Sequence, residues 1–182
     1  METYEAVMSR RSIRKYKATP IDDATLARVL EAARWAPSWA NTQCWRFIVV
    51  RDNDIKNKLA ATVPTGNGAG DAIKEAPVAI ATCAQMGKAG YIKGSFGSDK
   101  GESWYMFDVA LAMQNLVLVA NSLGLGTVYT GWFDAKKAGE LLGVPPDCCV
   151  VALTPLGYPD QKPGPTSRKE LSQIVSYDKY DF

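Results

Sequence analysis

The fold is decided by the stretch ESWYMFDVALAMQNLVLVANSL, residues 102–123. Its apolar side chains almost encircle a helix instead of forming one stripe, which is typical of a helix that is buried on most sides. Gly124 follows as a suitable residue for ending this helix. The sequence therefore predicts a long central helix, in a core or at a subunit interface, covered by flanking layers.

Shorter helices and strands alternate irregularly around the central helix. Asp22 is expected to cap the first of the helices. Apolar spacing and β-branched runs predict helices over 21–36, 54–62 and from Asp134 to near Gly143, and strands over 45–50, 78–83, 126–132 and 149–156. Residues 64–70 read as a mobile loop. The pattern favours an α+β protein of three layers with a mixed sheet, and nothing divides residues 1–182 into more than one domain.

Composition excludes several classes of protein. The 182 residues carry 21 Lys and Arg against 19 Asp and Glu, so charge gives no argument for nucleic acid as a partner. The uninterrupted apolar runs are strand-sized, far short of the roughly 20 residues that span a bilayer, and no signal peptide is visible. A cytoplasmic protein without a membrane partner is expected.

The chain contains no histidine, which removes Ser-His-Asp and Cys-His catalysis and every His-based metal site. Its four cysteines form no CxxC pair, so reduced thiols and no metal are expected. Redox or acid-base chemistry near neutral pH would then depend on another side chain or on a bound cofactor.

Three segments are candidates for chemistry. SRRSIRKY (residues 9–16) brings three guanidinium groups and a hydroxyl together, which suits a phosphate, although a solvated basic turn has the same composition. APSWANTQCW (36–45) is rich in amide and hydroxyl groups that suit the edge of a heterocycle, or simply form a capped connection. GLGTVYTGWF (124–133) lets the backbone approach a flat group.

Four segments occur in the order RRSIRKY, APSWANTQCWRF, LGLGTVYTGWF and LGYP (156–159). With these segments the sequence resembles the FMN-dependent nitroreductase family over nearly the whole chain. The resemblance implies a three-layer α/β/α fold with a mixed, largely antiparallel sheet, and a homodimer with FMN at the subunit interface. The tail from about residue 162 is expected to extend onto the partner subunit.

By position, the resemblance assigns the following cofactor-binding residues. Arg10, Arg11, Ser12 and Arg14 match the residues that hold the FMN phosphate, ribityl chain and pyrimidine edge; Pro37, Ser38, Trp39, Asn41 and Gln43 match a loop that reaches the flavin of the other subunit; Thr130, Gly131 and Trp132 match the strand end near flavin N5; and Arg168 matches a second phosphate contact. Cys44 stands where the family usually has Pro, which is expected to loosen the loop, and Thr166 stands where a Lys is frequent.

The implied reaction is hydride transfer from NADH or NADPH, through flavin N5, to an electron-poor acceptor such as a nitro-compound or quinone, in a ping-pong cycle. No side chain is assigned as catalytic, because the cofactor carries the chemistry. Trp39, Tyr129 and Trp132 either shape the pocket or belong to the core. Alternatives are an enone or flavin reductase, a reductive dehalogenase or flavin-fragmenting enzyme on the same fold, or a non-enzymatic dimer that binds a phosphate ligand.

Overall fold

The computed structural model describes all 182 residues and has the predicted α+β architecture of three layers. Helices cover both faces of one four-stranded sheet. In chain order the elements are α1 (Thr3–Ser9), α2 (Asp23–Arg34), β1 (Trp45–Val50), α3 (Asn53–Ala60), α4 (Ala69–Glu75), β2 (Val78–Gln85), β3 (Tyr91–Ile92), β4 (Ser95–Phe96), α5 (Trp104–Ser122), β5 (Gly126–Thr127), α6 (Ala135–Leu142) and β6 (Cys148–Gly157).

The sheet has the order β1-β2-β6-β5, and all three neighbouring pairs are antiparallel. A parallel bridge between Ser12 and Thr127 makes it mixed at the β5 edge. Three predicted strands are confirmed. The fourth, over 126–132, is shorter than predicted, because after Thr127 the chain pairs with β6 only at the bridge between Thr130 and Leu153.

Helix α5 packs against α2 on one side and against β1, β2 and β5 on the other. It begins two residues later than predicted, after a 3-10 turn at Gly101–Ser103. Gly124, with a φ of 77°, terminates the helix as predicted. Its backbone amide donates to Asn121 O, and the backbone amide of Leu125 donates to Ala120 O. These two bonds form a Schellman motif, in which glycine supplies the left-handed residue.

The segment Gly101–Ser122 is by length and composition apolar enough to cross a membrane, a property that the core helix of a globular protein shares. The expectation of only strand-sized apolar runs missed this property, because isolated polar residues interrupt the apolar run without making the segment polar on average. In the fold, α5 lies within the main core cluster. Met106 and Phe107 nevertheless stay exposed on its first turns.

The opposite face of the sheet is covered by α3, α4 and α6, which form the second core cluster. Asp22 and Asp134 cap their helices as predicted, each accepting from the backbone amide three residues later. Helix α2 is shorter at both ends than the predicted 21–36, because Asp22 begins it and Trp35 ends it.

Helix α4 lies partly in the segment that was predicted to be a mobile loop. It forms because Ala72 and Ile73 are completely buried, and because the ammonium of buried Lys56 donates to Ala76 O, at its end, at 2.6 Å. Helix α1 and the hairpin β3–β4 were not predicted either. From residue 162 onward the chain is extended and almost entirely exposed, apart from a 3-10 turn at Leu171–Gln173.

Candidate active site

The N-terminal basic motif is fixed along the β5 edge of the sheet. The Ile13 amide donates to Thr127 O at 2.9 Å, next to the bridge between Ser12 and Thr127. Gly126 permits this close approach, since a Cβ built on it would lie 2.6 Å from Ile13 Cγ1. The backbone of the motif is therefore held by the sheet, and its arginines project from a rigid base.

Arg10 and Arg11 line a hollow of about 350 Å³ that also includes Arg168 from the C-terminal segment; we call it the basic hollow. The remaining lining residues are Val7, Met8, Gln114, Tyr129, Pro165 and Thr166. No carboxylate lines this hollow. The structure thus brings Arg10 and Arg11 together with Arg168.

The guanidinium groups in this region differ in what they bind. Arg11 donates to the carbonyls of Met8 and Arg10, at 2.8 and 2.9 Å, and Arg168 donates only to Thr166 and Ser167 next to it. The side chains of Arg10 and Arg14 make no hydrogen bond or ion pair within the chain. An unpaired guanidinium in a hollow without carboxylates is suited to an anionic ligand.

Arg14 does not line the basic hollow. Its side chain packs against the loop before α4, where its Cδ lies 3.8 Å from the Cβ position of Gly68. The structure therefore separates the four residues of the motif: Arg10 and Arg11 reach the hollow, Ser12 pairs with β5, and Arg14 points elsewhere.

A second, mostly apolar hollow of about 320 Å³ adjoins the first; we call it the apolar hollow. The two share Gln114 and Tyr129, whose hydroxyl donates to Gln114 Oε1 at 3.2 Å. Burial raises the pKa of Tyr129 to about 12, against the opposing charge of Arg10, so this hydroxyl stays neutral at pH 7. The other residues that line it are Met106, Val109, Ala110, Met113, Gly131, Val151 and Ala152.

The strand-end residues 130–132 are placed differently from one another. Gly131 lines the apolar hollow, and no atom lies within 4 Å of where its Cβ would be. Thr130 is buried, and its hydroxyl has no hydrogen-bond partner. Trp132 is 71% exposed and lines neither hollow, so it is not a core residue within this chain.

The amide loop (residues 37–43) lines neither of these two hollows. It is folded tightly on itself, because the backbone amide of Gln43 donates to Ser38 Oγ at 3.0 Å. Ala40, Asn41 and Gln43 have φ values of 44°, 55° and 48°, in the left-handed region that non-glycine residues rarely adopt. Asn41 and Gln43 are exposed at the surface.

Trp39 anchors the amide loop to the body of the protein. Its backbone amide donates to both carboxylate oxygens of Asp108, at 3.1 and 3.0 Å, and its indole donates to Tyr91 O at 3.0 Å. The indole also packs edge-on against Trp104, with ring centroids 4.9 Å apart. Trp39 is therefore partly a core residue, and it joins the loop to α5 and to the β3–β4 hairpin.

Asp108 is the residue that the sequence analysis missed. It is 1% exposed and is the only charged residue of α5, and burial raises the pKa of its carboxyl above the usual range, while the hydrogen bonds from Trp39 oppose this shift. The available signal was a lone carboxylate in α5 with no Lys or Arg elsewhere in that helix.

Cys44, which was expected to loosen the loop, lies in the main core cluster at the end of the loop. Its sulfur is completely buried and lies 3.9 Å from Asp108 Oδ2, and burial raises the pKa of the thiol to about 11. All four cysteines are free. No three Cys, Asp or Glu side chains come together in an arrangement that would hold a metal ion.

Comparison with known proteins identifies the class of protein. The family model described as the nitroreductase family matches residues 7–158. The chain therefore belongs to the nitroreductase family.

Individual relatives agree with this assignment. The structure of a nitroreductase family protein from Clostridium novyi NT is 34% identical, with a TM-score of 0.80 over 90% of this chain and 89% of that one. The NADPH:FMN oxidoreductase of Vibrio harveyi, solved in complex with NAD+, is 30% identical, with a TM-score of 0.85 over 99% of this chain and 78% of that one. An NADH dehydrogenase of Thermus thermophilus is 30% identical over 96% of this chain and 95% of its own length.

The family and these relatives identify the chain as an oxidoreductase of the NAD(P)H nitroreductase class. The non-enzymatic alternative, a dimer that only binds a phosphate ligand, is set aside by this finding.

Proposed function

We propose that the chain binds FMN across the basic and apolar hollows and uses it to pass a hydride from NADH or NADPH to an electron-poor small molecule, such as a nitro-compound or a quinone. The observation that carries the proposal is the adjoining pair of hollows. One end holds cations without carboxylate partners, and the other end is lined mostly by apolar side chains, which matches a molecule with a phosphate at one end and a ring system at the other.

The residues present fit FMN. Arg10 and Arg168 would hold the phosphate, because both guanidinium groups lie in the basic hollow and Arg10 has no partner within the chain. Ser12 and Arg11 adjoin them for the ribityl chain. Gly131 leaves space for a ring in the apolar hollow, and the unpartnered Thr130 hydroxyl is a polar group beside it.

Bound FMN would supply the hydride chemistry, and the chain would supply position and environment. The apolar hollow would exclude water from one face of the ring. The exposed amides of Asn41 and Gln43 would lie at the polar edge, where N–H donors stabilise negative charge on the reduced cofactor. A contact of Arg14 with that edge stays a prediction, since its side chain packs against the loop before α4. No side chain needs to act as a nucleophile.

We propose further that the protein is a homodimer, with the amide loop of one subunit completing the site of the other. In support, the loop is folded on itself and carries its amides on the surface, yet it lines neither hollow of its own chain. The exposed side chain of Met106, which lines the apolar hollow, and those of Phe107 and Trp132, which follow lining residues in the sequence, would then be covered by the partner subunit. The cytoplasm is the proposed location, since the free cysteines fit a reducing compartment.

The visible spectrum of the purified protein tests the proposal. We expect a yellow protein that releases FMN on denaturation and bleaches when NADH or NADPH is added without oxygen. A colourless protein that FMN does not reconstitute would contradict it. A panel of nitro-compounds, quinones, enones and free flavins as acceptors would then define the reaction, because all of these chemistries start from the same reduced cofactor.

A further inference from the structure

We infer that Asp108 is a positioning residue for the proposed FMN site. From inside α5 it holds the amide loop in the one conformation that presents Asn41 and Gln43 to a flavin. The inference rests on the proposed function and adds to it a residue that lies outside every sequence motif.

The anchor is a buried carboxylate that is satisfied by the loop itself. Both oxygens of Asp108 accept from the Trp39 amide, and the Cys44 thiol lies 3.9 Å from Oδ2. No Lys or Arg side chain forms an ion pair with it within the chain. A buried carboxylate without a cation is costly unless it is hydrogen-bonded, so keeping Asp108 in the core requires Trp39 and Cys44 to stay in contact with it.

The residues between Trp39 and Cys44, the two contacts of Asp108, have an unfavourable backbone conformation. Three of the five non-glycine residues with positive φ in the whole chain are Ala40, Asn41 and Gln43, and all three lie between Trp39 and Cys44. A backbone of this kind persists only where its surroundings impose it, and such backbone is typical of functional sites. Asp108 contacts the residue on either side of the strained segment, and so fixes both of its ends.

The position of Asp108 in its helix argues against a purely local role. It is the fifth residue of α5, and its carboxylate bonds to Trp39, 69 residues away, and not to a free amide of its own helix. A residue that only stabilised the start of α5 would not need to reach the loop. The carboxylate therefore links the conformation of the loop to the central helix.

The decisive variant is Asp108→Leu, which removes both acceptors and the buried charge and introduces a larger side chain. Its thermal stability is expected to fall, because the larger side chain must be accommodated in the core and the Trp39 amide loses its acceptor. Its dissociation constant for FMN, measured by quenching of flavin fluorescence on the apoprotein, is expected to rise by about tenfold or more, because a hydrogen bond to a charged group no longer orders the loop.

Two further variants separate positioning from general stability. Asp108→Asn retains one oxygen for the Trp39 amide, and its affinity is expected to stay within about threefold of the original protein. Val117→Ala, in a completely buried position of the same helix, is expected to lower stability and to leave FMN affinity unchanged.

Adding Ala40→Gly to Asp108→Leu is expected to recover part of the lost affinity, because glycine adopts the left-handed conformation without an anchor. If Asp108→Leu does not fold, Asp108→Ser, whose hydroxyl is too short to reach Trp39, replaces it in the same series.

The inference is overturned if the Leu protein (or its Ser substitute) binds FMN as tightly as the original, or if Val117→Ala weakens binding equally. It is also overturned if Ala40→Gly recovers nothing. Failure of the unmodified protein to bind FMN would instead overturn the proposed function, so the two failures are distinguishable.

Discussion

The amide loop and the C-terminal tail (residues 162–182) are both expected to serve the flavin site, but the chain holds them in opposite ways. The loop is held by a buried carboxylate and an indole, although its backbone is strained. The tail is extended and unstrained for most of its length, and Arg168 bonds only to its immediate neighbours. The chain thus holds the amide loop in place through its own contacts, whereas most of the tail packs against no other part of the chain.

The tail is not simply polar, which sharpens the contrast. Its apolar side chains are all exposed or nearly so: Leu171, Ile174, Val175, Tyr177, Tyr180 and Phe182. A segment that carries so many apolar residues and buries almost none has its packing surface elsewhere, and a second copy of the chain is the partner that we propose. The loop therefore is expected to be ordered before dimerisation, and the tail only after it.

The largest effect on FMN binding is expected in the basic hollow, where Arg168 of the tail lies close to Arg10. Replacing Arg10 and Arg168 together by Ala removes both proposed phosphate contacts, so the dissociation constant for FMN should rise by about 100-fold or more. Fluorescence titration measures it. Arg28→Ala with Lys58→Ala, which makes the same change in charge at exposed positions of α2 and α3, is the control and should bind normally. Equal affinity of the two double variants would refute the phosphate assignment.

Deleting residues 169–182 tests whether the tail contributes to dimerisation. The dimer should dissociate at protein concentrations about tenfold higher or more, because several apolar side chains lose their proposed partner surface. Light scattering over a concentration series measures this. Lys169→Ala with Lys179→Ala keeps every apolar residue and should dimerise normally. A truncated protein that dimerises as tightly as the full chain would show that the tail has no such role.

A smaller effect concerns the pH dependence of stability. Because the folded protein raises the pKa of Asp108 above 3.8, the folded state binds the proton more tightly than the unfolded state. This group therefore lowers the free energy of unfolding as pH rises from 3.8 through the raised pKa. Asp108→Asn lacks the titration, so the stability of the variant relative to the original protein should increase across that window. Urea titrations between pH 3.5 and 7 check the sign, and a constant difference would contradict it.

The smallest effect is expected for Ala40→Gly alone. Glycine removes the cost of a left-handed residue, about 1 kcal/mol, but part of this gain is lost because glycine loses more conformational entropy on folding than alanine does. The free energy of unfolding should rise by at most about 1 kcal/mol. The matched substitution Ala110→Gly, in the middle of α5, should lower it by about the same amount. If both variants lost stability equally, the loop would not be strained at Ala40.

Local chemistry made much of the fold predictable. The β-branched and aromatic run of residues 45–50 predicted β1 with its observed ends, and Asp22, Asp134 and Gly124 marked helix ends correctly. The elements that were missed depend on tertiary contacts instead. Helix α4 is short and contains Gly70, and it is stabilised by burial and by the side chain of Lys56, which a local pattern does not show.

The candidate site was predicted in part. The motifs identified Arg10, Arg11, Arg168 and Gly131, which the structure brings to two adjoining hollows. The roles of Arg14, Trp132 and the amide loop stay predictions, since none of them lines those hollows. Asp108 escaped prediction because its importance lies in a contact with Trp39 across the fold, and the periodicity of α5 shows only that the helix is apolar.

The order of the strands has a consequence for biosynthesis. The centre of the sheet is the pair β2–β6, which joins residues 78–85 to residues 148–157. On the ribosome the apolar helix α5 therefore emerges before the last of the central strands does. During that interval the nascent chain displays a helix of membrane-like composition over an unfinished sheet, the kind of surface that leads to aggregation or recruits chaperones.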